Sequence, residues 1–273
     1  MLFIGQTKSK PVRAYSVAAC LFLTGEPLAL GGSVFGVGLN NFQQTTAPTA
    51  VDSSANLVAG REFSVALMSD GSVVSWGNPE NGRTRPGPDA TSIVQVSAGI
   101  YHTLALKSDG TVVGWGYNGN GILSIPSGLS KVIAVAAGGY HSVAVRADGT
   151  VVCWGFDGDG RTMPPADLRD VIAVDAGRDF SVALKSDGTV VAWGLSDRGQ
   201  TAVPGGLKDV VAISTGETHT LALRADGTVV AWGFNDVGQC TIPSTLTGVV
   251  SIAAGDRHSL ALKGDKTVVA WGG

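Results

Sequence analysis

The stretch Val96-Ser97-Ala98-Gly99-Ile100-Tyr101-His102-Thr103-Leu104-Ala105-Leu106-Lys107-Ser108-Asp109-Gly110-Thr111-Val112-Val113-Gly114-Trp115-Gly116 decides the architecture, because versions of it recur along the chain. All six tryptophans, Trp76, Trp115, Trp154, Trp193, Trp232 and Trp271, lie 39 residues apart, and each is followed by glycine. A fixed period without insertion or deletion marks a repeat architecture. In such a chain one supersecondary unit cannot bury its own apolar faces and stacks on its neighbours.

Within the unit, Thr103, Ala105 and Lys107 alternate with Leu104 and Leu106, the period of a strand. The alanine column Ala66, Ala105, Ala144, Ala183, Ala222 and Ala261 keeps one face of that strand flat, so a neighbouring sheet can approach closely. Asp-Gly follows at Asp70, Asp109, Asp148, Asp187 and Asp226, predicting a two-residue type I′ hairpin. The sixth unit departs from it with Asp265-Lys266. The returning strand, Thr111 to Trp115, is apolar on both faces, as suits a sheet held between two others. The upstream run Ile93 to Ala98 is a third strand. After each Trp-Gly comes a connector with a recurring Gly-Gln or Gly-Arg, as in Gly82-Arg83 and Gly199-Gln200, and room for a short outer strand. Three to four antiparallel strands per repeat at fixed spacing predict an all-β fold, a β-propeller.

Composition narrows the function classes. Hydrophobic residues make up 44% of the 273, charged residues 15%, and glycine contributes 39 copies, which describes a globular, turn-rich chain. A net charge of −3 without any lysine or arginine run offers no footprint for nucleic acid or an anionic membrane. No apolar stretch reaches the roughly 18 residues of a membrane span. Cys153 and Cys240 stand in columns otherwise filled by small residues, which reads as packed thiols and not as a disulfide framework.

Residues 1–31 admit two readings. Lys8, Lys10 and Arg13 before the apolar run Ala14 to Gly25, with Val17-Ala18-Ala19-Cys20, have the order of a bacterial leader. The same Val-Ala-Ala also resembles Val135-Ala136-Ala137, and Gly32-Ser33-Val34-Phe35-Gly36-Val37-Gly38 is in register with Gly71-Ser72-Val73-Val74-Ser75-Trp76-Gly77, as a decayed first blade would be. Residues 32–273 are assigned to the propeller. Secretion or display on a bacterial surface is favoured over the cytoplasm.

The combined pattern Ala-Gly-x-x-His-Ser/Thr-x-Ala-Leu-Lys/Arg-x-Asp-Gly-Thr-Val-x-x-Trp-Gly resembles the repeat of the regulator of chromosome condensation family, strongly over 51–273 and weakly over 32–50. The compact unit is most similar to a short bacterial branch that includes a propeller-type β-lactamase inhibitor. The resemblance implies seven blades, here six good repeats plus one degenerate N-terminal unit, and function by binding other proteins. Six blades result if residues 1–31 are not part of one.

Up-down-up pairing puts the Ala-Gly-x-x-His turns and the post-Trp-Gly tips on one face and the Asp-Gly turns on the other. The strands repeat while the tips vary, as in a scaffold that displays binding loops. The partner-binding candidates are Arg61, Glu62, Ile100, Tyr101, Tyr140, Arg178, Asp179, Glu217, Asp256 and Arg257 in the turns, with Glu80, Asn120, Asp159 and Arg198 in the tips. Tyr101 and Tyr140 stand out, since tyrosine is favoured at interface hot spots. The tryptophans and His102, His141, His219 and His258 are structural: Phe63 and Phe180 fill the histidine column in two units, so the position is one of packing before it is a metal ligand. No nucleophile elbow, phosphate loop or paired-cysteine metal motif occurs.

The expected function is therefore a non-enzymatic, monomeric, protein-binding scaffold without cofactor or metal. A β-lactamase-inhibitor-like protein, or a ligand-binding module of a larger bacterial surface protein, is the alternative.

Overall fold

The computed structural model describes residues 40–51 and 54–273. It contains six three-stranded antiparallel sheets, one per repeat, spanning 54–77, 93–116, 132–155, 171–194, 210–233 and 249–272. In the second blade the strands are β4 (Ile93–Ala98), β5 (His102–Lys107) and β6 (Val112–Gly116), and every other blade repeats this order and register. Consecutive blades pack face to face, with their first strands adjacent from blade to blade and therefore innermost. Both the decayed blade ending at Gly38 and the leader fall outside the described residues. Residues 40–51 occupy the place of a connector, with Gln44 in the Gly-Gln/Gly-Arg column.

The alanine column behaves as its flatness requires. Ala66, Ala105, Ala144, Ala183 and Ala222 are fully buried, and each blade interface closes over them. Between the second and third blades, for example, Leu104, Leu106 and Val112 meet Val132, Val135, Ala144 and Trp154. In the last blade Leu260, Leu262 and Trp271 are half-buried, because no described blade follows it.

One feature narrows the expectation of three to four strands and two differ from it. Each blade has three strands and no outer fourth: the connectors fold into turns with positive-φ glycines such as Gly82 and Gly121, which cannot extend a ladder. The outermost strand is only half-buried, since its face and edge reach solvent. The Asp-Gly hairpin is not a two-residue type I′ turn. Gly110 N–H donates to Lys107 O at 3.0 Å and Lys107 N–H to Thr111 O at 2.9 Å, and only the glycine, at φ +80°, is left-handed. That is a three-residue loop, a type I turn closed by a glycine bulge. Asp109 holds it by accepting from Thr111 N–H at 2.9 Å and from its hydroxyl at 2.6 Å. Lys266 adopts the same left-handed place at φ +70°.

Each tryptophan anchors the connector that leads into its own blade. Trp115 Nε1–H donates to Arg83 O, Trp193 to Arg161 O and Trp232 to Gln200 O, all at 3.0 Å. The recurring Gln or Arg is thereby fixed, and its buried side chain folds back to hold the tip: Gln200 accepts from Arg198 N–H at 2.9 Å and donates to Asp197 at 2.9 Å.

The histidine column ties one blade to the next. His102, His141 and His219 are fully buried, and their Nε2 atoms lie 2.9, 2.8 and 2.9 Å from the hydroxyls of Ser142, Ser181 and Ser259. Ser142 spends its one proton on Ile122 O at 2.8 Å and Ser259 on Gln239 O at 2.7 Å. His102 and His219 must therefore donate from Nε2, which fixes their tautomer. Where phenylalanine replaces histidine, at Phe63 and Phe180, the corresponding hydroxyl of the next blade belongs to a threonine, Thr103 or Thr220, and has no hydrogen-bond partner.

Candidate functional site

The turns between first and second strands emerge beside the post-Trp-Gly connectors, as strand order demands. Glu62, in the first such turn, accepts from Asn78 at 2.8 Å and pairs with Arg83 at 3.2 Å, both from the following connector. Asp179 pairs with Arg161 at 2.6 Å, and Arg257 with Asp236. The Asp-Gly turns lie at the other end of the blades, where Gly110 O accepts from Val132 N–H of the next blade at 3.0 Å.

The inner turns also bond to each other. Ile100 N–H donates to Gly138 O at 3.3 Å and Arg178 N–H to Glu217 O at 3.0 Å. Glycine is required at this inner ring: a Cβ on Gly216 would overlap Gly255 O of the next blade and the ring of His219.

Two hollows open on this face. The first, of about 380 Å³, is lined by Arg61, Glu62, Glu80, Asn81, Arg83, Tyr101, Tyr117 and Tyr140. Ring centroids of Tyr101 and Tyr140 lie 4.9 Å apart, and those of Tyr101 and Tyr117 5.9 Å. The Arg83 guanidinium sits 5.3 Å from the Tyr101 centroid, within cation–π range. A hydrogen bond with Tyr101, together with burial, raises the Tyr140 phenol above its ordinary pKa.

The second hollow, of about 410 Å³, is bounded by Arg178, Asp179, Leu195, Asp197, Arg198, Gln200, Glu217, Thr218, Phe234, Asp236 and Arg257. Arg178 reaches Glu217 at 2.7 Å, and this hydrogen bond raises the guanidinium's pKa further. Arg198 lies 4.2 Å from the Phe234 centroid. A hydrogen bond with Asp256, assisted by burial, raises the Glu217 carboxyl even though Arg178 opposes the shift.

The structure thus gathers Arg61, Glu62, Glu80, Tyr101 and Tyr140 about one hollow and Arg178, Asp179, Arg198, Glu217 and Arg257 about the other. Four candidates lie elsewhere. Ile100 contributes its backbone to the inner ring. Asn120 shapes a turn at φ +61°. Asp159 is drawn onto the buried Arg161, and Asp256 rests against Glu217 outside the hollow. Arg83, Tyr117 and Phe234 were not among the candidates. Tyr117 and Phe234 share the position after Trp-Gly with Asn78, Phe156, Leu195 and Gly273, a column that holds a large apolar or aromatic side chain in four of six repeats within an otherwise polar connector. Arg83 is concealed by its role as an anchor: the recurring Gly-Gln/Gly-Arg signals structure, and only packing shows its guanidinium under Tyr101.

The buried histidines are neutral, their pKa values pushed down by burial to about 3 in His102 and His141 and about 4 in His219. Burial pushes the Cys153 thiol up to about 12 and that of Cys240 up to about 11, so neither is an activated nucleophile.

Stacked three-stranded blades with variable loops gathered at one end define a repeat β-propeller. The chain belongs to the regulator of chromosome condensation (RCC1) repeat family, whose repeat model matches residues 55–83, 93–122, 132–161, 171–200, 210–239 and 249–273. A search of curated proteins found no match.

Among solved structures the chain is similar to Prp20p of Saccharomyces cerevisiae, with TM-score 0.71 and 22% identity over 90% of this chain and 77% of that one. That structure is described together with its binding properties to Gsp1p and histones. Yeast RCC1 (Prp20) bound to Kap60 gives TM-score 0.69 and 20% identity over 98% and 84%. The CRINKLY ectodomain of the Arabidopsis thaliana receptor kinase ACR4 gives 0.63 and 23% over 80% and 79%. At these identities the likeness is one of fold.

Proposed function

We propose that this chain is a non-enzymatic scaffold that binds another protein through the face carrying the Ala-Gly-x-x-His turns and the post-Trp-Gly connectors. The observation that carries it is the meeting of Tyr101, Tyr117 and Tyr140, from three separate loops of two adjacent blades, around one hollow. Solvated loops without a task have no reason to gather three half-buried tyrosines at one hollow, whereas aromatic anchors beside paired charges are what interface centres contain. Prp20p, of the same fold, is described as binding Gsp1p and histones, and its complex with Kap60 is known. A protein partner is favoured over nucleic acid because the arginines of this face are met by carboxylates, as Arg83, Arg161, Arg178 and Arg257 show.

The test is affinity capture with the purified chain, comparing wild type with a variant carrying Tyr101→Ala and Tyr140→Ala. A protein captured by wild type and lost, by tenfold or more, from the variant is the expected outcome. Equal capture by both removes these tyrosines as anchors and shifts attention to the opposite face.

A further inference from the structure

We propose that the tyrosine hollow seats an extended, proline-rich segment of the protein partner, with basic residues at the end that runs over the fourth to sixth blades. This rests on the loop-face function proposed above and adds the chemistry of the ligand.

Charge within the hollow is already matched. Arg83, only 5% exposed, is shared between Glu62 at 3.2 Å and Glu80 at 3.7 Å. A charged guest there would meet both signs at close range, so what the hollow offers is ring surface. The rings are tilted against one another, by 38° for Tyr101 and Tyr140 and 59° for Tyr101 and Tyr117, which leaves notches between them and not one flat platform. A polyproline II helix advances about 9 Å per three-residue turn. Tyr101 has Tyr117 at 5.9 Å on one side and Tyr140 at 4.9 Å on another, so neighbouring rings lie within the reach of one such turn.

Hydrogen bonding points the same way. A polyproline II segment has carbonyls without internal partners and, at proline, no N–H to satisfy. The Tyr101 and Tyr117 hydroxyls and the Asn81 amide, which also lines the hollow, supply the donors. A ligand that is extended before binding loses little conformational entropy, so a small aromatic row is enough to hold it.

Polarity follows from the rest of the face. Arg161, Arg178, Arg198 and Arg257 are outnumbered there by Asp159, Asp179, Asp197, Glu217, Asp236 and Asp256. A lysine or arginine arriving from the partner would meet this surplus of carboxylates about the second hollow.

The experiment is fluorescence-polarisation titration of the full chain into a labelled peptide of seven prolines followed by three arginines. Saturable binding is expected below about 1 mM. It should weaken at least tenfold when the prolines become alternating glycine and serine, when the arginines become glutamates, and in Tyr101→Ala. Tyr101→Phe, which keeps the ring, should retain most of the affinity. Should Tyr101→Ala fold poorly by circular dichroism, Tyr117→Ala, at the end of the row, takes its place with the same expectation. The proposal is overturned if the glycine–serine peptide binds equally, if loss of a tyrosine leaves binding unchanged, or if no saturation occurs. A partner captured through Tyr101 and Tyr140 while the peptide fails would overturn this inference and leave the loop-face function standing. Capture that ignores the tyrosines would overturn both.

Discussion

Trp193 does two things at one position: it buries an indole between blades, and its Nε1–H donates to Arg161 O at 3.0 Å. Trp193→Phe keeps an aromatic ring in place and leaves that buried carbonyl without the indole donor. A loss of about 1–3 kcal/mol is expected, read from urea denaturation; an unchanged midpoint would show that the anchor does not contribute. Residue-level roles were unevenly legible. Tryptophan at a fixed period with a following glycine announces a core position. The role of the glycine that closes each first strand, Gly216 after Thr215 among them, does not follow from the repeat, because it depends on Gly255 O of the next blade lying where a Cβ of Gly216 would project. Arg83 is the sharpest case of concealment: its column signals an anchor, while its place under Tyr101 and between Glu62 and Glu80 arises only when three loops meet.

At the level of the element, the hairpin shows how one residue sets a turn. Five repeats place glycine at the left-handed position and the sixth places Lys266 there, at φ +70°. A side chain in that region costs roughly 1 kcal/mol, partly offset by the smaller conformational entropy that lysine has in the unfolded chain. Lys266→Gly should therefore stabilise by roughly 0.5–1 kcal/mol, visible as a raised thermal midpoint. Destabilisation would mean that the lysine makes a compensating contact. Asp-Gly alone is compatible with either a two-residue or a three-residue loop. The choice is made by Asp109, whose carboxylate accepts from both the backbone and the hydroxyl of Thr111 and so favours the type I turn with its bulge.

For the whole molecule, the histidines link stability to pH across several blade interfaces. His102, His141 and His219 are neutral in the fold, with pKa values lowered by burial to about 3, 3 and 4. Unfolded histidine titrates near about 6.5. The unfolded chain therefore binds protons that the folded chain refuses once the pH falls below that value. The stabilisation is complete above about pH 6.5, diminishes as the pH falls, and levels off once the folded rings titrate. Each ring contributes a slope of about 1.4 kcal/mol per pH unit between roughly pH 6 and 4. His141→Phe combined with Ser181→Thr copies the Phe180 and Thr220 arrangement already present one interface along. Burial lowers the pKa of His258 as well, so the change should remove about a quarter to a third of the histidine contribution to that slope, measured as denaturation midpoints across the range. An unaltered slope would show that His141 does not titrate as a buried ring.

The chain's own pattern determined the repeat, the strand order, the segregation of loops to one face, and the packing roles of tryptophan, alanine and histidine. These follow from period, alternation and turn chemistry, which act within one repeat or between identical neighbours. The tertiary structure decided the number of strands per blade, the turn type, and which loop residues share a hollow. Tyr101 and Tyr117 lie 16 residues apart in sequence and Tyr101 and Tyr140 lie 39 apart, yet all three meet, because stacking brings the inner turn of one blade beside both its own connector and the inner turn of the next. Contacts of that kind depend on the distance and rotation between blades, set by side-chain volumes at the whole interface, and no single repeat contains that information.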